Sequence, residues 1–305
     1  MKGIKSKSIQ EPVNTSLVSN LHKRAGFFKA VRSFFEKRGV LEVDCNALRS
    51  ASPIDEHIDV MQVHTGSGTG YLHTSPEYGM KELLSLGSGD IYQLSHVFRA
   101  GEIGPWHTPE FTMLEWYRLG FSFEEMIQET IDCILLFLPS LAVQKMSYIE
   151  LFHNYLGCDY RITTTENLQA LLAKEGITLS NTAWDKETLL QLTLSHLIEP
   201  KLGKDHLFVL THFPASQAAL SKIVGESCLR FEVYYQGIEL ANGYVELTDP
   251  IEQKKRLLCA EEKRRAAGKS PLPIDESFLA ALERGLPECA GVAVGFDRLI
   301  SISAR

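Results

Sequence analysis

Apolar residues recur at two periods in this chain, and the period changes along it. At Leu21, Ala25, Phe28, Val31, Phe34 and Phe35 the spacing predicts an amphipathic helix from Leu21 to Arg38. Asn20 stands where a cap would start that helix, and Gly39 where one would end it. Val40 to Val43 then reads as a strand. Asp90 to Phe98 and Phe111 to Tyr117 read as two strands flanking a long polar loop. Ser122-Phe123-Glu124-Glu125 has the sequence of a capping box, with Phe121 and Met126 placed to staple it. The helix so begun runs through Ile127, Ile131, Ile134 and Leu135, and Pro139 stops it.

Residues 164–200 carry Leu168, Leu171, Leu172, Leu189, Leu190, Leu194 and Leu197 at helical spacing and read as a small helical insertion. Leu207 to Leu210 is a short buried strand. Arg230 to Tyr235 and Ile238 to Leu240 flank Gln236-Gly237, a hairpin signal. Asp249 to Ala267 is a polar helix, and Pro271 and Pro273 precede a last helix near Ser277–Arg284. Strands and helices mix without βαβ regularity, so the fold class is α+β with an antiparallel core. Residues 1–18 are polar and read as a loose, flexible segment; 19–305 reads as one domain holding the insertion.

Composition narrows the class. The 305 residues are 44% hydrophobic and 23% charged, ordinary for a soluble globular protein. No apolar run is long enough to span a bilayer, and no membrane partner is expected. Lys2, Lys5 and Lys7 are followed by no apolar core of a secretory signal. Six cysteines without a C-x-x-C spacing fit reduced thiols in the cytoplasm. The formal net charge of -7 weighs against tRNA as a partner. The basic stretch Lys254-Lys255-Arg256 and Lys263-Arg264-Arg265 is interleaved with Glu252, Glu261 and Glu262, and reads as a solvated helical face.

Three groups of residues carry chemistry. Glu232, Glu239 and Glu246 recur every seven residues. A two-residue turn at 236–237 sets Tyr234 opposite Glu239, and puts Glu232 on the same face one diagonal step away. Such a pair can hold Mg²⁺ against phosphates; the bland alternative is a solvent-facing hairpin lined with charge. Glu246 has the wrong parity to join Glu239 unless the strand bulges, and Asn242-Gly243 is a suitable place. The second group is Arg99 before a polar loop and Arg298 after a Gly-rich strand, where Gly291 and Gly295 let a backbone approach a ligand closely. The third is Thr74-Ser75-Pro76-Glu77 with Glu115, Tyr117 and Glu246. Three carboxylates and a phenol suit a substrate with two ammonium groups, such as lysine or an isomer of it.

Read together, two segments carry a resemblance. Phe98-Arg99-Ala100-Gly101-Glu102 through Pro109-Glu110-Phe111-Thr112-Met113-Leu114-Glu115-Trp116-Tyr117 resembles motif 2 of class II aminoacyl-tRNA synthetases, and Gly291-Val292-Ala293-Val294-Gly295-Phe296-Asp297-Arg298-Leu299 resembles motif 3. From about residue 21 to residue 300 the chain is similar to the catalytic core of lysyl-tRNA synthetases. It is more similar to the stand-alone elongation factor P β-lysine ligases. Its core-like pattern starts near residue 21, leaving no room for an N-terminal OB-fold; His212-Phe213-Pro214-Ala215-Ser216-Gln217-Ala218 resembles the ligases; and Ala293 stands where synthetases usually have glycine.

The resemblance implies a cytoplasmic, homodimeric ligase that uses ATP and Mg²⁺ to adenylate β-lysine or lysine and transfers it to a lysine of elongation factor P. The alternatives are transfer to tRNA and a non-catalytic binding paralogue. It implies roles as well. Arg99 would contact the substrate carboxylate and α-phosphate. Phe111 would stack on adenine, with Glu102 and His107 in the closing loop and Leu240 and Gly295 close to the nucleotide. Arg298 would hold the γ-phosphate, and Glu232 and Glu239 Mg²⁺. Ser75, Pro76 and Glu77 would line the amino-acid site with Ala293, Glu77 receiving the amino group nearer the carboxylate; Tyr117 and Glu246, helped by Glu115 and Asn242, would hold the distal ammonium. The usual acid two residues after the motif 2 arginine is Gly101 here, so Glu102 would take its place. The seven residues after Arg298 leave a short final helix.

Overall fold

The computed structural model describes residues 15–179 and 184–303. Helix α1 (Thr15–Glu36) leads into strand β1 (Leu41–Glu42). The short strands β2 (Leu48–Arg49), β3 (Gln62–Thr65) and β4 (Gly68–Leu72) form a small antiparallel sheet in the order β2-β4-β3. Then come α2 (Glu77–Ser85), β5 (Ile91–Phe98), β6 (Glu110–Leu119) and α3 (Phe123–Ile134). β7 (Val143–Ser147) precedes α4 (Tyr148–Leu156), α5 (Thr165–Lys174) and α6 (Lys186–Thr193), which continues through a π turn at Leu194–Ile198 and a 3-10 turn at Glu199–Lys201. β8 (Leu207–Thr211), the short pair β9 (Ile223–Val224) and β10 (Ser227–Cys228), then β11 (Arg230–Tyr235) and β12 (Ile238–Val245) follow. The chain closes through α7 (Pro250–Ala266), α8 (Glu276–Gly285), β13 (Cys289–Gly295) and α9 (Phe296–Ser303).

The main sheet has eight strands in the order β1-β5-β6-β13-β12-β11-β8-β7. Only its outermost pairs, β1 with β5 and β7 with β8, are parallel; every pair between is antiparallel. One face is apolar throughout. Leu114 and Trp116 of β6, Phe231 and Val233 of β11, and Val292 and Val294 of β13 pack there against α1, α3 and α9 through Phe35, Ile127, Ile131 and Leu299. The opposite face is covered only at its ends. At one end Ile91, Tyr117 and Cys289 meet α2, α7 and α8 through Tyr78, Leu257 and Phe278. At the other, Phe208, Leu210 and Tyr234 meet α4 to α6 through Tyr148, Leu168 and Leu190. The strip between is where polar side chains collect, because period-2 alternation sends every second residue there.

Several expectations are revised. Thr15 to Asn20 are helical, so Asn20 lies inside α1 rather than capping it. The expected loose segment at 1–18 falls, up to residue 14, outside the described residues. Helix α4 joins the helical region and was not marked by the pattern. Strand β12 runs on to Val245, and α9 rather than α8 is the last helix. Gly39 takes a positive φ of 68° after α1, as a terminating glycine should. Glu252 with Arg256 and Glu261 with Arg265 pair along α7 as the spacing implied.

The capping box of α3 forms: the Glu125 N–H donates to Ser122 Oγ at 3.3 Å and the Ser122 N–H to Glu125 Oε2 at 2.8 Å. Helix α3 packs straight onto the sheet, so Ser122→Ala is expected to lower folding stability by about 1 kcal/mol. Urea unfolding at neutral pH measures it; an unchanged midpoint would show that the cap contributes nothing.

Candidate active site

Strand register builds the site. Gln93 of β5 pairs with Glu115 of β6, Glu115 with Ala293 of β13, Ala293 with Asn242 of β12, and Asn242 with Glu232 of β11. These residues form one row across five strands on the partly uncovered face. The neighbouring row is Tyr117, Gly291, Tyr244 and Arg230. The bulge required by the parity of Glu246 exists, but not at Asn242-Gly243. Register shifts opposite Val233/Tyr234: Tyr234 faces Glu239 while Val233 faces Ala241, leaving Leu240 as the extra residue. Leu240 and Ala241 both point into the core, and Glu239, Asn242 and Glu246 come to one face.

Buried acids and one buried base make up the amine-sized end of the row. Glu115, only 2% exposed, accepts from Ser75 Oγ at 2.7 Å and from the Tyr117 hydroxyl at 2.7 Å. Burial first, then the nearby Glu77, push its carboxyl up to about 8. Ser75 also receives the Glu77 N–H at 3.0 Å, and Pro76 caps α2, so the turn before α2 aims Glu77 inward. Lys81, fully buried on the same helix, sets its Nζ 2.6 Å from Glu77 Oε1 and 2.6 Å from Glu246 Oε2. Burial works against its ammonium, but Glu246 and Glu77 outweigh that and its pKa is raised. Burial raises Glu246 to about 7, with Lys81 pulling the other way. Gly291 is explained here rather than at a nucleotide: a Cβ on it would collide with the Tyr117 ring and the Glu246 carboxylate.

Farther along the row lies the carboxylate pair. Glu232 is 5% exposed, so the solvent-facing hairpin is excluded. It accepts from Arg230, from the Tyr234 hydroxyl, and from Asn242 Nδ2 at 3.4 Å. Burial, and then Glu232, raise the Glu239 carboxyl. Asn242 Oδ1 is buried without a partner beside them. Two neighbouring carboxylates next to an orphaned amide oxygen are a donor set that suits a hard divalent cation such as Mg²⁺. Glu199 approaches from the helical insertion, taking the Tyr234 hydroxyl at 3.2 Å, and burial and Glu232 push it up to about 8. Among the described residues, no three His, Cys, Asp or Glu side chains are arranged as a metal cluster.

The two motif arginines reach the same face. Arg99 donates through Nε to Thr74 O at 3.4 Å, pairs with Glu102 at 3.6 Å and lies 5.2 Å from the Phe111 ring centroid. Glu102 is therefore an arginine partner in this state. Arg298 donates through Nη1 to Glu239 O at 2.9 Å and through Nη2 to His107 Nε2 at 2.7 Å. His107 must be neutral to accept, and burial and Arg298 do lower its pKa. Gly295 lies against the Arg298 side chain. Asp297 anchors this turn: it accepts the Thr112 N–H at 2.7 Å and pairs with Arg24 of α1. Leu240 turns its side chain into the core, leaving only its backbone toward the site.

Apart from the Leu240 side chain, the candidate residues thus lie on or beside one face. Sequence reasoning missed Lys81, Arg230 and Glu199. Lys81 had a signal, its i,i+4 spacing from Glu77 at the start of a helix. Arg230 shares strand parity with Glu232. Glu199 had none, because it comes from a separate helical region.

Residues 4–305 match the family described as tRNA synthetases class II (D, K and N). The chain is 45% identical over 298 residues to an elongation factor P–(R)-β-lysine ligase of Edwardsiella ictaluri, covering 94% of this chain and 91% of that protein. It is 44% identical to the protein of that name in Vibrio parahaemolyticus (95% and 93% covered) and 43% identical to the one in Proteus mirabilis (94% and 91%).

The raised carboxyl of Glu115 has a measurable consequence. Unfolded, it loses its proton near 4.5; folded, it keeps it until about 8. The folded state holds the extra proton in that window, so stability falls as pH rises through it, by at most about 1.4 kcal/mol per pH unit. Glu115→Gln, which mimics the protonated acid, is expected to match the parent near pH 5 and exceed it above pH 8. Urea unfolding across pH 5–9 checks this; parallel stability curves for the two proteins would refute it.

Proposed function

The chain is a member of the class II tRNA synthetases (D, K and N) and an ATP-dependent amino-acid ligase, and we propose that it adenylates (R)-β-lysine or lysine and passes it to a lysine side chain of elongation factor P. The observation that carries this reading is the buried acidic end of the site. Glu115, Glu246 and Glu77 around Tyr117 and Ser75 make a site for ammonium groups, and Arg99 reaches the adjoining Thr74 carbonyl. The names of the relatives agree with that chemistry.

In the first step a substrate carboxylate oxygen bonds to the α-phosphorus of ATP, and the bond to the bridging oxygen breaks, releasing pyrophosphate. Arg99 neutralises the carboxylate and the charge developing on the α-phosphate, exchanging Glu102 for them. Phe111 stacks on adenine, His107 closes the loop, the Leu240 backbone and Gly295 border the nucleotide, and Arg298 takes the γ-phosphate. Mg²⁺ held by Glu232 and Glu239 would neutralise polyphosphate charge. Glu115, Tyr117, Glu246, Asn242, Ser75 and Glu77 fix the amino groups, with Pro76 and Ala293 shaping the wall. In the second step the lysine ε-amine of the acceptor bonds to the carbonyl carbon, AMP leaves, and an amide results. No side-chain nucleophile is required, because the acyl group is already activated.

The same proposal takes 19–305 as the catalytic domain with 164–200 as its insertion, a cytoplasmic setting, and a homodimer. Exposed Leu21, Leu41 and Leu48 on α1, β1 and β2 support the dimer. No helix among the described residues is long and apolar enough to cross a membrane.

Incubation with ATP, (R)-β-lysine and elongation factor P, read by intact mass, is expected to add one lysyl group to the protein acceptor; labelling of tRNA instead would overturn the acceptor assignment. Arg99→Ala is expected to lower amino-acid-dependent pyrophosphate exchange by about a hundredfold or more with the fold intact. Parent-like exchange would remove Arg99 from the chemistry.

A further inference from the structure

Lys81 is the one charged group of the amine cavity that the proposed reaction does not use. Its side chain is wholly enclosed, while the carboxylates it bridges differ: Glu246 is 1% exposed and Glu77, at the cavity mouth, 15%. It joins Glu77 of α2 to Glu246, the residue just past β12. Glu115 has no cation and is satisfied by Ser75 and Tyr117. In the empty site burial keeps the proton on Glu115; with all three acids ionised around a bound substrate, Lys81 and two substrate ammoniums would balance the three carboxylates. Without Lys81, the third carboxylate would be uncompensated in a water-poor site and would take up a proton, losing its capacity to accept from an ammonium.

Resting on the ligase reading above, we propose that Lys81 is a positioning residue that sets the charge and geometry of the amino-acid pocket. It bridges Glu77 and Glu246 and fixes their spacing, so that a diammonium substrate meets carboxylates already in place. A mere structural tie makes a different prediction. Removing one member of a buried ion pair lowers folding stability, so for a mere tie the loss would appear in urea unfolding, with no selective effect on amino-acid binding by the protein that stays folded.

The test separates these. Lys81→Met keeps the length and removes the charge. It is expected to raise the KM for (R)-β-lysine in ATP–pyrophosphate exchange by about tenfold or more, since one member of a buried pair is removed, while the KM for ATP stays within about twofold. Lys81→Ala leaves room for a small cation, and ethylammonium chloride is expected to restore amino-acid binding to it in calorimetry. A Lys81→Met protein with an unchanged KM for the amino acid overturns the proposal. So does a Lys81→Ala protein that ethylammonium fails to restore, whether in folding or in binding. Absence of exchange in the parent protein would instead overturn the ligase reading itself.

Discussion

One extra residue in β12 decides what this protein can do. Leu240 and Ala241 both turn to the core, so parity changes between Glu239 and Asn242. Without the bulge, Glu239 could share a face with Ala241 and Gly243 but not with Asn242 or Glu246. With it, three polar residues of one strand serve two tasks: Glu239 beside Glu232, Asn242 in the middle of the row, and Glu246 against Lys81 and Gly291. The bulge costs a ladder position and is held by core contacts on the opposite face, where Leu240 is 1% exposed. Packing on one side of the sheet thus fixes chemistry on the other.

Acids crowded onto one sheet face would repel, and the fold answers with cations of two kinds. Lys81 and Arg230 are internal and permanent. Arg230 is clamped by Glu232 and Gln217 O, with the Phe213 ring 4.5 Å from its guanidinium. Other acids, Glu115, Glu199 and Glu239, have no such side-chain partner and answer by raising their pKa instead. A cation bound beside them would draw their protons off. These acids mark where a substrate ammonium or a divalent cation gains most from binding.

Element types were largely legible in the chain, because long periodic stretches such as Leu21–Arg38 and the capping box at Ser122 encode them locally. The ends were less so: α1 begins before Asn20, since a residue able to cap a helix can also sit inside one. Motif spacing singled out the candidate site residues, and strand register brings most of them to one face. What sequence alone misplaced was the bulge. Asn242-Gly243 has the composition of an irregularity, yet Gly243 is small because the Phe231 ring lies over it. Glycine from close packing and glycine from backbone freedom look alike in sequence. Gly291 gave the same false lead, since Tyr117 rather than a nucleotide occupies the space beside it.

The two ends of the site are built with different rigidity, and the difference follows their tasks. The amine end stands on paired strands and a buried helix start, with Glu115, Glu246 and Lys81 all nearly inaccessible. Discrimination among small amino acids requires such fixity, because a fraction of an ångström separates a satisfied ammonium from a stranded carboxylate. At the phosphate end, Arg99 and Arg298 are held by Glu102 and by exposed His107, both from the loop between β5 and β6. The Arg99–Glu102 pair is long at 3.6 Å and the Arg298–His107 contact is exposed, so both would exchange at small cost for phosphate oxygens. On the proposed reading, selection falls to buried, paired structure and the nucleotide contacts to an exposed loop between strands.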